Sequence, residues 1–199
     1  VTSGRADANR RRILDVALAE LLRDPDASMD QIARAAGVVR RTVYGHFPSR
    51  EALIGALIDN AVEAVAAAHA EGREGVTDPA EAVARSILGV WPIADRYRLL
   101  VSLAQRSVAM EGIRTRLAPV REACAELLRQ GLEQGDFSSP LPPAALAYAH
   151  EQVLFGLMEA VNDGLLTPQE AGRSAAVTVL ASSGVPAARA TALVAELRM

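Results

Sequence analysis

The stretch SMDQIARAAGVVRRTVYGHFPSRE, from Ser28 to Glu51, limits what this chain can become more than any other. It reads as two short helices around a tight turn. Ser28 followed three residues later by Gln31 is a capping box, which marks a helix start. Ile32, Ala33 and Ala36 share one face of that helix. Gly37 ends it, because glycine enters the left-handed backbone region without steric penalty. A second helix can start near Arg40 and run to about Phe47. Two helices of this length around a glycine turn form a helix-turn-helix pattern, whose second helix enters the DNA major groove. Val38, Val43 and Phe47 are its apolar residues and are expected to pack a three-helix core. Arg40, Arg41 and Thr42 occupy the first turn of the second helix, where groove-bound helices touch base edges. An Arg there can grip guanine O6 and N7, worth roughly 1–3 kcal/mol of discrimination.

This stretch resembles the DNA-binding segment of the TetR family of transcriptional regulators. The matching residues are Ile32-Ala33, Ala36-Gly37-Val38, Thr42-Val43-Tyr44, His46-Phe47, Ser49-Arg50-Glu51 and Leu53, in order and without gaps. The likeness covers about residues 10–60; the remainder resembles the family only in helical character and length. It implies an all-α fold with two parts. Residues 1–51 would form an N-terminal three-helix DNA-binding domain. Residues 52–199 would form a larger C-terminal helical domain for effector binding and dimerisation, joined through a helix at about 51–71 whose tilt sets the spacing of two recognition helices. It further implies a regulator, by the family's habit a repressor, released from a palindromic operator on double-stranded DNA by a small-molecule effector. Tyr44, His46 and Arg50 would contact phosphate, and Ser28 joins Arg40, Arg41 and Thr42 among the expected DNA contacts. Three positions depart from the family. Val39 replaces a common capping residue, a loss of about 1 kcal/mol. Arg41 replaces a small residue, and Gly45 a larger one.

Charge supports this polarity. The chain carries a net charge of −3. Residues 1–51 hold nine Arg against seven acids, and residues 52–199 hold twelve against seventeen. All 21 basic residues are Arg, which a genome-wide composition bias explains as well as any function. Arg10, Arg11 and Arg12 open the first helix against the helix dipole, which suggests phosphate contact as readily as a solvated start. Residues 1–8 read as a disordered polar arm. Leu14, Ala17, Leu18 and Leu21 then form a stripe that ends at Asp24-Pro25.

Beyond Gly75 the pattern predicts helices at about 79–91, 95–110, 113–134, 143–163, 168–183 and 187–198, with Trp91-Pro92 ending the first of these. The resemblance implies a small-molecule pocket here. Its candidate lining residues are Trp91, Leu103, Arg106, Leu117, Cys124, Tyr148, Gln152 and Phe155, each of which could equally pack a core. Apolar walls would suit a hydrophobic or aromatic effector. His150 and Glu151 are further polar groups on apolar stretches. Small residues in 143–163 and 168–183 would let these helices approach closely. In the family the last two long helices build a four-helix bundle with a second subunit, so a homodimer is expected. Cys124 is the lone cysteine, which rules out an internal disulfide and suits simple packing.

Other function classes find less support. His46, His69 and His150 are far apart, and no HExxH, GxSxG, phosphate loop or paired metal-ligand motif is present, so neither an enzyme nor a metal or cofactor is expected. An all-helical small-molecule or protein binding module without DNA binding is the alternative, and the intact 28–51 stretch argues against it. With no signal peptide and no obvious membrane span, a soluble cytoplasmic protein is expected.

Overall fold

A computed structural model describes the backbone of residues 2–105 and 110–197, and the side chains of residues 7–102 and 110–197. Among the described residues there are nine helices and no strand. They are α1 (Thr2–Arg23), α2 (Met29–Ala35), α3 (Arg40–His46), α4 (Arg50–Glu71), α5 (Pro79–Gln105), α6 (Met110–Gln134), α7 (Pro143–Asn162), α8 (Pro168–Ser182) and α9 (Ala187–Glu196). The chain divides into two compact units, Val1–Asn60 and Ala61–Met199.

The first unit is built on the stripe of α1. Ile13, Leu14, Ala17, Leu18 and Leu21 are all buried. Their spacing gives a broad apolar face, the mark of a helix packed on one side. Met29, Ile32, Ala33 and Ala36 come from α2 and its end, Val43 and Phe47 from α3 and its end, and Leu53, Ala56 and Leu57 from α4; all are buried with it. The capping box at Ser28 is formed, with the Ser28 hydroxyl accepting from the Gln31 N–H and the Gln31 side chain accepting from the Ser28 N–H. Gly37 has φ +64°. The Val38 N–H reaches the Ala33 carbonyl at 3.1 Å, and the Gly37 N–H reaches that of Arg34 at 3.1 Å. That double closure fixes how α2 hands over to α3. The α1 helix begins at Thr2, whereas the sequence suggested a disordered arm over residues 1–8. No proline interrupts that segment, and extending a helix already nucleated by a packed 13–21 face needs little further stabilisation.

In the second unit α5 packs against α6, α7, α8 and α9, while α6 lies along α7, α7 along α8 and α8 along α9. Helix α5 corrects a second expectation: it continues through Pro92 to Gln105 where a break was expected. A proline inside a helix removes one hydrogen bond and crowds the carbonyl four residues back, costing about 3 kcal/mol. Burial on both sides of it offsets that cost, since Val83, Ala84, Ile87, Leu88, Val90, Trp91 and Leu100 are all buried. The Trp91 indole N–H also donates to the Pro168 carbonyl at 2.7 Å. The ring lies so close to α8 that a Cβ on Gly172 would come within 2.6 Å of it.

Helix α4 has the length and apolar composition of a bilayer span, with a mean hydropathy of 1.3 in its 18-residue window, which the sequence reading did not anticipate. Alanine supplies much of that value. Asp59 and Glu63 fall within the helix, and an Asp at a bilayer centre costs roughly 2.5–3.5 kcal/mol. Length and composition alone are therefore weak grounds for a membrane helix.

Candidate nucleic-acid interface

The seven residues of α3 divide cleanly between two faces. Val43 is fully buried, and Phe47, one turn on, is 2% exposed. These two hold the helix to the core of its unit. Arg40, Arg41, Tyr44 and Gly45 face solvent, with Thr42 and His46 half-buried at the edges. A Cβ on Gly45 would meet nothing within 4 Å, so another backbone can approach α3 closely there. Val39 stands at the N-cap without a side-chain cap bond.

The exposed cations differ in how they are held. The Arg40 guanidinium donates to Asp30 Oδ2 at 3.0 Å and to Tyr44 Oη at 3.4 Å. It also lies 5.1 Å from the centre of the Tyr44 ring. Arg40 is thus pre-positioned by α2 on one side and by its own helix on the other. Among the described residues Arg41 has no such partner and is free to follow whatever lies against the face. Arg50 is placed differently from both: its guanidinium donates to the carbonyls of Ala27, at 3.3 Å, and Pro25. It ties the start of α4 to the loop between α1 and α2. His46 lies beside Phe47, with ring centres 6.2 Å apart. Ser28 is exposed at the start of α2, with its oxygen already accepting from Gln31. Of the three arginines opening the packed part of α1, Arg10 stacks 5.4 Å above the Phe47 ring and Arg12 donates to Asn9 at 3.2 Å.

Asp30 is the residue that sequence reasoning passed over. An acid in the first turn of α2 is explained by the helix dipole alone, and nothing local marks it as the partner of a residue ten positions on.

The effector candidates differ in their settings. Leu103 by its side chain and Arg106 entirely lie outside the described residues. Trp91 is buried with its N–H bonded, so it serves the core. Phe155 is buried, Leu117 and Gln152 are half-buried, and Tyr148 is 42% exposed with the Arg121 guanidinium 5.6 Å from its ring centre. Cys124 is half-buried; loss of solvent pushes its thiol up to about 11, so it is a poor nucleophile. His150 is buried between α7 and α8, with Nε2 3.1 Å from Ser182 Oγ and 3.3 Å from Ser183 Oγ. Burial lowers its pKa to about 4. It ties two helices together in neutral form. Among the described residues no cluster of three or more His, Cys, Asp or Glu could hold a metal ion.

Residues 13–57 match the model of the bacterial regulatory proteins of the tetR family. Over 88 residues the chain is 35% identical to the HTH-type transcriptional repressor LfrR of Mycolicibacterium smegmatis, covering 44% of this chain and 46% of that one. The chain spans less than half the length of the curated relatives it matches. Its fold is similar to that of the TetR-like regulator LfrR from Mycobacterium smegmatis in complex with proflavine, with a TM-score of 0.69 at 23% identity over 88% of this chain and 96% of that one. It is also similar to the fatty acid degradation regulator FadR of Bacillus halodurans, with a TM-score of 0.76 at 19% identity over 86% and 94%. At such identities the likeness speaks for the fold alone.

Proposed function

We propose, from the match of residues 13–57 to the model of the tetR family of bacterial regulatory proteins, that this chain is a member of that family and a DNA-binding transcriptional regulator. In this reading it represses from a palindromic operator and leaves it when a small molecule binds the second unit. The observation that carries the reading is the division of α3: Val43 and Phe47 are anchored inside while Arg40, Arg41 and Tyr44 stand outside. A helix held in this way can present an Arg to guanine and a phenol to phosphate at once. Two copies would set two such helices roughly 34–36 Å apart, in successive major grooves. The effector acts by binding one conformer better than another, so DNA affinity falls by linkage. The proflavine held by the LfrR structure supports an aromatic or apolar body for the effector.

Arg40, Arg41 and Thr42 are assigned to base edges, with Tyr44 and His46 on phosphate and Ser28 among the DNA contacts beside them. Arg50, already bonded to two carbonyls, positions α4 and adds charge at longer range. The test is a fluorescence-anisotropy titration of duplexes from the DNA flanking the gene, repeated from 50 to 200 mM salt. Affinity should fall by orders of magnitude over that range. A flat response would remove the electrostatic basis of the reading. Arg40→Ala and Arg41→Ala should each relax preference at one or two base pairs, a cost of about 1–3 kcal/mol there.

A further inference from the structure

Two helix faces of the second unit meet in a cluster of charged, polar and apolar side chains. On α6, Arg114, Leu117, Arg121 and Cys124 follow at three- and four-residue steps, so they share one side. On α7, Tyr148, Glu151, Gln152 and Phe155 do the same. The α6 and α7 helices pack together. Arg121 Nε donates to Glu151 Oε2 at 3.0 Å, and its Nη2 reaches both Glu151 Oε1 at 3.3 Å and the Arg114 carbonyl at 3.0 Å. This ion pair is largely enclosed, with 21% and 11% of its side chains exposed. Arg73, from the turn after α4, and Glu151 both act through space on the Cys124 thiol.

The cluster is unbalanced in two ways. Arg114 and Arg121 both act on a single acid, Glu151. Arg114 Nε and Gln152 Nε2 are shut off from solvent and have no hydrogen-bond partner, while no enclosed side-chain acceptor of the cluster is left without one. Native folds rarely leave enclosed donors open, and those they leave call for an explanation such as a missing ligand. Surplus donors and surplus positive charge are complementary to an acceptor that carries negative charge.

We propose that the facing sides of α6 and α7 form the recognition end of the effector site and take a small organic carboxylate, with Arg114 and Gln152 as its donors and the Arg121–Glu151 pair as their support. This rests on the effector-responsive reading above. The carboxylate accepts from Arg114 and Gln152, and Leu117, Cys124 and Phe155 lie along its apolar body. Arg121 stays with Glu151, which keeps that acid from repelling the ligand.

The test is calorimetric titration of the full chain with 1-naphthoate, 1-naphthamide and 1-naphthylmethylammonium, which share one apolar body. Naphthoate should bind about tenfold or more tighter than the other two, the worth of one hydrogen bond to a charged group. Arg114→Met and Gln152→Leu leave the Arg121–Glu151 pair in place, and each should reduce that preference with unfolding still cooperative. Gln152→Glu should move it towards the ammonium. Equal affinities, a tighter ammonium, no naphthoate binding, or a preference untouched in all three variants would overturn the proposal. Operator binding by the same preparations without probe separates the two readings. DNA binding without carboxylate preference removes only the effector class, and no DNA binding removes the regulator.

Discussion

In the proposed reading, Asp30 sets how Arg40 meets DNA. Its carboxylate and the Tyr44 ring hold the guanidinium from two sides. The pair is well exposed, at 65% for Arg40 and 46% for Asp30, so it adds at most about 1 kcal/mol to stability. In that reading its effect belongs to recognition. Asp30→Ala should leave the melting temperature almost unchanged and raise affinity for unrelated DNA, because a negative charge near the phosphates is gone. It should also lower the ratio between the operator and a site altered at the Arg40 base pair. Competition anisotropy reads that ratio, and an unchanged value would show that Arg40 needs no support from α2. The outward set Arg40, Arg41 and Tyr44 was legible in the sequence, because Val43 and Phe47 fix which side of α3 is inside. Its partner Asp30 was not, because α2 and α3 come together only through the Gly37 turn and no local spacing records which acid ends beside which arginine. The same holds for Arg50: the sequence marks it as a cation beside the motif, and only the path of the α1–α2 loop brings the Pro25 and Ala27 carbonyls to it.

At the scale of elements, the two ends of the α2–α3 turn are opposites. Gly37, with φ +64°, is already suited to its place, whereas Val39 caps nothing. Val39→Ser should stabilise the first unit by about 1 kcal/mol by giving α3 a side-chain acceptor. Gly37→Ala should destabilise it by roughly 1 kcal/mol or more, since a Cβ is strained in that region. Thermal unfolding of both variants checks the pair, and shifts of the same sign would contradict it. The helices of the first unit could be read from stripes and caps because each closes over a few residues. Helix α5 could not. Whether Pro92 ends a helix depends on whether the neighbours of Trp91 and Leu88 offset a lost hydrogen bond, and those neighbours come from helices far along the chain.

For the whole molecule, two buried histidines weaken the fold in mild acid. Burial holds His69 and His150 at about 4, below the 6.5 of a free ring. The unfolded chain therefore takes up protons that the fold refuses. Stability is unaffected above pH 6.5 or so and falls as pH drops from there towards 4. Together the two rings account for a loss of several kcal/mol, on the order of 1.4 per pKa unit. Denaturant midpoints at pH 7, 5.5 and 4.5 should decline, and replacing both rings by Gln should flatten that decline. Sedimentation should give a particle about twice the 21.0 kDa chain mass, as a reader of two half-sites requires. The most direct measurement of the central claim is selection from randomised duplexes by the full chain, run beside the Arg40→Ala, Arg41→Ala double variant. The account predicts a twofold-symmetric sequence for the parent chain, with half-sites about one helical turn apart, and loss of the innermost preferences in the variant. Enrichment of no sequence by the parent, or of the same sequence by both proteins, would contradict it.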